Sequence, residues 1–374
     1  MERFSVVYRL LGTEEEAGRK ARDICLEQTV EFPEELLASE FIQREIVGRI
    51  EEFLSDGPGH YRATISFAVD LCARELTQLL NVIFGNISIK PGYRVEELRL
   101  PEAVTGLFQG PRFGRSGLRQ LLQVPARPLL FTALKPMGLS AGELAGLAYL
   151  CARGGIDIIK DDHGLTDQRF ARFEERVAAC AAAVARANQE TGGHSIYVAN
   201  VTAPAGEVIA RARWAKRQGA GGLLLAPGLV GFDTMRQLAE DDRIALPIFS
   251  HPAMLGSYVL HPDQGIAHYV LFGQLARLAG ADGSIYPNFG GRFAFSREEC
   301  RSIVAGSEVA MQRIKPIFPC PGGGMSMDRI PDMTAVYGAE AVFLVGGGLF
   351  RHSPDIIENC RYFRSLLEAE IAPG

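Results

Sequence analysis

The sequence lacks the features of a membrane, secreted or nucleic-acid-binding protein. No apolar run approaches the roughly 18–20 residues that a membrane-spanning helix needs. Residues 1–8 resemble a first strand and lack the apolar core of a signal peptide. The net charge of −5 provides no basic field for nucleic acid or for an anionic membrane. We therefore expect a cytoplasmic protein that binds neither.

The sequence also lacks any CxxC pair. Its seven cysteines are scattered and their number is odd, which is typical of reduced thiols in a cytosolic protein. We expect most of them to pack as small apolar side chains.

The length and composition indicate one smaller and one large domain. The chain has 374 residues, 47% hydrophobic and 22% charged, as expected for a globular protein too long for one small domain. Residues 1–115 mix strand and helix patterns without a regular repeat, which predicts an α+β domain. Its strands are expected at residues 4–10, 61–67, 87–90 and 95–100, and its helices at residues 13–27 and 70–84. A turn-rich junction, "FQGPRFG" at residues 108–114, precedes the next region.

Residues 116–374 alternate short apolar runs with amphipathic helices. Continuous apolar strands joined by helices indicate a parallel sheet. Eight such units, the last ending in a C-terminal helix, favour a (β/α)8 TIM barrel over an open doubly wound sheet. The strands are expected at residues 129–135, 156–162, 196–201, 222–226, 248–251, 283–287, 314–320 and 342–345.

Polar residues and glycines stand at the ends of these strands. In a TIM barrel the carboxyl ends of the strands form one rim, which carries the catalytic groups. Lys135 ends the first strand, Lys160-Asp161-Asp162-His163 the second, and His251 the fifth. Glycine triplets follow the seventh and eighth strands, at residues 322–324 and 346–348. The sequence therefore predicts that these groups share one rim.

The cluster after the second strand is the strongest candidate for chemistry. Side chains alternate along a strand, so Lys160 and Asp162 should point to one face and Asp161 to the other. Asp162 offers oxygen, which suits magnesium, and His163 offers nitrogen, which suits manganese, zinc, iron, cobalt or nickel. A lysine binds a metal only when neutral or carbamylated. The alternative is a Lys160–Asp162 ion pair with His163 as a polar strand cap, and the motif alone leaves both open.

The two glycine triplets indicate an anion site. Glycine allows close approach of backbone N–H groups to an anion, and phosphate commonly binds after strands 7 and 8 of TIM barrels. Each triplet alone could serve only as a tight turn. Together, Gly322, Gly323, Gly324, Gly346 and Gly347 favour a phosphate group.

Several spaced motifs resemble the large subunit of ribulose-bisphosphate carboxylase/oxygenase (RuBisCO) and its RuBisCO-like relatives. The run from Pro128 to Gln168 carries most of the resemblance, and five shorter motifs match in order. These motifs are the Gly85-Asn86 pair, "FQGPRFG", "SHPAM" at 250–254, "PCPGGG" at 319–324 and "VGGGLF" at 345–350. The resemblance implies a ferredoxin-like N-terminal domain, a TIM barrel and a homodimer whose active sites are shared between subunits.

The resemblance also implies roles for individual residues. Lys160 matches a lysine that CO2 carbamylates and that binds Mg²⁺ together with the acids at the positions of Asp162 and His163. Lys135 matches a lysine of proton transfer, and His251 a histidine facing the substrate. Asn86 matches an asparagine that reaches the partner's active site. The glycine turns match half of a bisphosphate site.

Three departures from the carboxylase pattern argue against CO2 fixation. His163 replaces a glutamate, which weakens magnesium binding or changes the metal. Pro252 replaces an arginine of the second phosphate site. Residues 288–293 lack the loop lysine that polarises CO2, although Arg292 could replace it. The chain is therefore expected to be a RuBisCO-like protein.

The retained groups predict proton abstraction next to a carbonyl. Such a reaction passes through an enolate or enediolate, which a metal or cationic groups can stabilise. We expect enolisation or isomerisation of a small phosphorylated sugar or sugar acid. The alternatives are decarboxylation of a 3-oxo sugar-acid phosphate, or a non-catalytic binding protein with a degenerate site.

Overall fold

The computed structural model describes residues 1–293 and 295–369, which form a mixed sheet followed by a barrel. The N-terminal sheet has the order β10-β4-β1-β3-β2. Strands β1 to β4 pair antiparallel with one another. Strand β10, from the barrel region, pairs parallel with β4. The five strands are β1 (Arg3–Leu11), β2 (Arg49–Ser55), β3 (His60–Ala68), β4 (Tyr93–Arg99) and β10 (Gly265–Ile266).

The barrel has the eight parallel strands that the sequence predicts. Their order is β12-β11-β9-β8-β7-β6-β5-β13, and the two end strands lie side by side, so the barrel is nearly closed. The strands are β5 (Leu129–Leu134), β6 (Ile158–Asp161), β7 (Ile196–Asn200), β8 (Gly222–Leu225), β9 (Ile248–Ser250), β11 (Gly283–Pro287), β12 (Phe318–Gly322) and β13 (Val342–Leu344).

Helices pack against both sheets, and several begin where the sequence carries a capping box. Thr13, Ser140 and Ser296 each accept from the N–H of a glutamate three residues on, whose side chain accepts in return. No described helix has the length and hydropathy of a membrane span. The α-helices are α1 (Glu14–Glu27), α2 (Leu76–Phe84), α3 (Glu102–Thr105), α4 (Gly114–Leu122), α5 (Ala141–Arg153), α6 (Phe173–Thr191), α7 (Ala205–Arg217), α8 (Pro227–Val230), α9 (Phe232–Glu240), α10 (Gly256–Val259), α11 (Leu275–Leu278), α12 (Arg297–Glu308), α13 (Ile330–Tyr337) and α14 (Ile356–Ala369).

Two predictions in the N-terminal domain are wrong, and one strand was missed. Residues 87–90 are not a strand, because Asn86–Ile89 form a 3-10 helix. Residues 70–84 are not one helix, since Ala73 adopts the left-handed conformation (φ 48°) and separates a 3-10 turn from α2. Strand β2 was not predicted, because its seven residues are exposed or half-buried and show no alternation.

The barrel interior is apolar up to the catalytic rim. Alternate residues of β6 point inward, so Ile158 packs in an inner core with Phe131 and Phe249, whose ring centroids are 5.1 Å apart. Lys160 stands one step above Ile158 on the same face of β6. The Lys160 side chain therefore lies directly above apolar side chains of the barrel interior.

Asp282 fastens the junction between the two domains to the barrel. Its carboxylate accepts the backbone N–H groups of Phe113 (2.8 Å), Gly114 (2.7 Å) and Ile248 (3.0 Å). Gly114 has φ 63°, and a Cβ there would lie 2.9 Å from Lys315 Cβ. The "FQGPRFG" motif is thus explained by packing at the lower end of the barrel.

We expect Asp282→Asn to lower the free energy of unfolding by about 2–4 kcal/mol, because an amide oxygen cannot replace a buried carboxylate that accepts from three backbone N–H groups. Urea denaturation measures the change. Asp242→Asn is the control, since Asp242 is exposed and pairs with Arg112 at the surface, and should cost less than about 1 kcal/mol. Equal losses in the two variants would contradict this role of Asp282.

Candidate active site

Strands β5, β6 and β9 bring the predicted lysines, acid and histidines together at one rim. The inward faces of β5 and β6 are adjacent in register, with Ala133 opposite Lys160. Lys135 therefore follows directly beside the end of β6. Asp161 points away from the barrel interior and contacts α6 and β7, so the predicted alternation is confirmed.

Lys160 is the deepest charged group of the site. Its side chain is 2% exposed, and Nζ donates to the carbonyl oxygen of Asp161 at 3.0 Å. Burial lowers the pKa of Lys160 to about 8, with Asp162 raising it and Lys135 lowering it further. A substantial neutral fraction near pH 8 follows, and a neutral amine is what carbamylation by CO2 requires.

Asp162 pairs with Lys135, not with Lys160 as the ion-pair alternative supposed. Lys135 Nζ lies 2.8 Å from Asp162 Oδ1, and His163 Nδ1 lies 3.3 Å from the same oxygen. Burial alone would raise the pKa of Asp162, but hydrogen bonds from His163 and Lys135 and the charge of Lys160 hold it well below the usual range. Asp162 is consequently ionised at neutral pH.

His163 and His251 form a stacked pair above Asp162. Their ring centroids are 4.4 Å apart and the ring planes differ by 11°. The N–H of Ala253 donates to His251 Nδ1 at 3.2 Å, so the proton of this ring is on Nε2. Burial, and then the charges of Lys160 and His163, lower the pKa of His251 to about 2. His251 is therefore a neutral donor at the rim.

Arg176 and Tyr197 were not selected from the sequence. They hold Asp161, on the outer side of β6 and away from the barrel interior. The Tyr197 hydroxyl donates to Asp161 Oδ1 at 2.7 Å, and Arg176 Nε donates to Asp161 Oδ2 at 3.2 Å. Arg176 and Asp161 are both fully buried. The sequence signal that could have identified Arg176 is its position in α6, a helix rich in small residues.

The glycine turn after β13 lies beside Lys135. A Cβ at Gly346 would lie 3.7 Å from Lys135 Cε, and one at Gly348 would lie 2.3 Å from the Met325 carbonyl oxygen. Gly347 lies in the same turn and has open space around its Cα. This backbone can therefore approach a ligand next to Lys135.

The glycine turn after β12 packs against the loop that carries Arg292. Gly323 and Gly324 have φ of 85° and 88°, and Arg292 N donates to the Gly323 carbonyl at 3.3 Å. The Arg292 guanidinium is exposed and lies 5.1 Å from the centroid of Phe293. A Cβ at Gly322 would meet the Leu344 side chain, which accounts for that glycine by packing.

Asn86 lies in the N-terminal domain, where its Nδ2 donates to Glu27 Oε1 at 3.0 Å. Within the described ranges of one chain, it makes no hydrogen bond to the rim residues. Ile89, three residues on, is 83% exposed. This surface is available for contact with another molecule.

A metal ion fits the rim only if Lys160 supplies a donor. In the part of the chain that the structure describes, no three His, Cys, Asp or Glu side chains form a group suited to a metal. Asp162 and His163 offer one oxygen and one nitrogen donor. A carbamate on Lys160 would supply the missing oxygen donor.

An apolar pocket of about 680 Å³ opens beside Lys135. Besides Lys135 and Gly347, its lining is apolar. Those side chains are Pro136, Met137, Leu139, Leu147 and Phe350. The site therefore joins a cationic group, a glycine turn and an apolar surface.

Comparison with known proteins identifies similar chains over the full length. Residues 114–372 match the family described as ribulose bisphosphate carboxylase large chain, catalytic domain. The chain is 34% identical over 374 residues to 5-methylthioribulose-1-phosphate isomerase of Rhodospirillum rubrum, covering 100% of this chain and 98% of that one. It is 32% identical over 369 residues to 2,3-diketo-5-methylthiopentyl-1-phosphate enolase of Bacillus pumilus, covering 96% and 90%. The crystal structure of a Rubisco-like protein from Rhodopseudomonas palustris superposes with a TM-score of 0.89 at 33% identity, covering 100% and 99%.

We expect His251 to stay neutral, with its proton on Nε2, from pH 8 down to pH 5. Because its pKa in the folded protein is about 2, the unfolded chain takes up this proton first as the pH falls. The contribution of His251 to stability is present above about pH 6.5 and declines below it. Imidazole ¹⁵N resonances, with that of His251 assigned from His251→Asn, test the tautomer. A protonation midpoint near 6.5 would refute the burial argument.

Proposed function

The chain belongs to the ribulose bisphosphate carboxylase large-chain family, among its RuBisCO-like members, and we propose that it catalyses proton transfer next to the carbonyl of a phosphorylated sugar. The observation that carries this proposal is the Lys135–Asp162 pair above the buried Lys160 and beside the neutral donor His251. Cationic and donor groups of this kind stabilise an enolate.

Each side chain has a role in this reaction. Lys135, as the neutral amine, accepts the proton from the substrate carbon and, as the ammonium ion, returns it, while Asp162 accepts a hydrogen bond that holds the Lys135 amine in place. His251 Nε2–H and Lys160 donate to the oxygen that becomes negative in the enolate. The glycine turn at Gly346–Gly347 binds the phosphate with backbone N–H groups, close to Lys135.

A metal would add to this arrangement. Carbamylated Lys160, Asp162 and His163 would hold a divalent cation, Mg²⁺ or a metal that prefers nitrogen. When bound, it would act as a Lewis acid on the substrate oxygen.

The substrate class follows from the pocket and from the relatives. Both relatives above are named for a phosphorylated five-carbon chain that bears a methylthio group. The apolar pocket beside Lys135 supports a substrate with such an apolar substituent. Pro252 and the absence of a lysine at residues 288–293 support a reaction other than carboxylation.

We also propose a homodimer with shared active sites. The exposed apolar side chains of the N-terminal domain include Ile89, Leu36 (60% exposed) and Phe41 (55%). At the rim, Met137 and Met254 are also exposed. A second chain that covers both surfaces would bring its Asn86 toward the rim.

We expect the protein to exchange deuterium into 5-methylthioribulose 1-phosphate or 2,3-diketo-5-methylthiopentyl 1-phosphate in ²H₂O. Lys135→Met should slow this exchange by about 10²- to 10⁴-fold, because it removes the proton-transfer group. Lys216→Met, an exposed lysine at the end of α7, should leave it unchanged. NMR of the products follows exchange and separates isomerisation from enolisation.

The same assay decides between the alternatives. Release of CO2 from a 3-oxo sugar-acid phosphate, without exchange into the two substrates above, would assign a decarboxylase. Binding of these phosphates with neither exchange nor CO2 release would assign a binding protein and refute the proposed chemistry.

We expect a carbamate on Lys160 whose population increases between pH 7 and pH 8 and levels off above, since the neutral amine reacts with CO2 and the pKa is about 8. The ¹³C NMR signal of protein in ¹³C-bicarbonate with Mg²⁺ measures it. Lys160→Met should lack the signal. If the native protein and Lys160→Met give the same ¹³C spectrum at pH 8.5, the carbamate is excluded.

A further inference from the structure

We infer that Asn200, at the end of β7, is a positioning residue that holds the turn carrying His163 at the catalytic rim. Its amide Nδ2 donates to two carbonyl oxygens of this turn, those of His163 (2.9 Å) and Leu165 (2.8 Å). The functional part of this inference rests on the proposed reaction, and the structural part does not.

Asn200 is anchored so that its amide can point in only one direction. The side chain is fully buried. Its Oδ1 accepts the N–H of Thr202 at 3.1 Å, which fixes the orientation of the amide, and its own backbone N–H donates to Asp161 Oδ2 at 3.0 Å. The polar groups of the side chain are therefore all used, as expected of a buried amide.

The backbone of Asn200 is in turn linked to the buried Asp161–Arg176 ion pair. Asp161 accepts from Arg176, Tyr197 and the Asn200 backbone, so α6 and β7 together fix the end of β6. Arg176 Nη1 also donates to the Ala171 carbonyl at 2.9 Å. The turn at 162–165 is thus tied to two neighbouring elements.

The position of the His163 ring depends on this turn, because within the described residues its side chain has one polar partner and one stacked ring. Its side chain is 49% exposed, its Nδ1 lies 3.3 Å from Asp162 Oδ1, and its ring stacks on that of His251. A shift of the turn would move the ring off His251 and lengthen the hydrogen bond to Asp162. Misplacement by about 1 Å can cost about 10²-fold in rate.

The chain supplies a matched control at the opposite end of the same strand. Asn188 donates through Nδ2 to the Ser195 carbonyl at 2.8 Å and accepts the Ser195 N–H at 3.0 Å. It fixes the start of β7, far along the strand from the rim. Loss of this amide costs hydrogen bonds of the same kind without reaching the site.

The experiment compares Asn200→Ser with Asn188→Ser in the full-length protein. We expect Asn200→Ser to lower kcat for deuterium exchange by about 10- to 100-fold with KM within about threefold. The imidazole ¹⁵N and ¹H resonances of His163 and His251, measured at one pH without substrate, should shift as the rings separate. Asn188→Ser should change neither kcat nor these resonances.

The NMR comparison remains decisive if no substrate is turned over. Unchanged His163 and His251 resonances in folded Asn200→Ser would overturn the inference, whatever the activity. Should Asn200→Ser fail to fold, Asn200→Asp, which keeps the shape and removes the donor, replaces it in the same comparison. Failure of both to fold would assign Asn200 to fold stability alone and overturn the positioning role.

Discussion

The ionised carboxylate of Asp162 is the interaction on which the catalytic rim depends. It binds the Lys135 amine and the His163 ring through one oxygen, and its charge offsets part of the burial penalty on Lys160. Without it, two lysines would face each other across an apolar floor, and burying such charges unpaired is costly. The position of Lys135, the orientation of His163 and the charge state of Lys160 all follow from this group.

The alternation of side chains along β6 places the candidate catalytic groups on one face of the strand and the groups that stabilise the strand end on the other. Lys160 and Asp162 point into the barrel mouth, whereas Asp161 between them points outward to Arg176 and Tyr197. The outward carboxylate is satisfied by buried donors, so it fixes the strand end without competing for the substrate. Three consecutive polar residues on a buried strand are therefore consistent with a stable barrel.

The sequence predicted the local pattern well and the long-range pairs poorly. All eight barrel strands and the rim location of Lys135, Lys160, Asp162, His163 and His251 were found from period and spacing. The partner of Asp162 was not predicted. Lys135 follows a different strand, and only the register between β5 and β6 brings Lys135 closer to Asp162 than Lys160 is. Strand β2, exposed along its length, carried no burial signal. Strand β10 was not predicted either, because its pairing with β4 joins distant parts of the chain and no local pattern reveals it.

The charges of the rim depend on the chemical state of Lys160. With Lys160 protonated, and Lys135 protonated once it has accepted the substrate proton, the two lysines outnumber Asp162 by one positive charge, which suits a phosphate and an enolate. Carbamylation replaces the positive charge of Lys160 with a negative one and leaves an excess negative charge, which suits a divalent cation. A carboxylate at residue 163 would add a further negative charge to the second state, whereas His163 adds none. His163 therefore favours the amine form over the carbamate, and a pKa near 8 for Lys160 leaves part of the amine neutral, the form that reacts with CO2, at physiological pH.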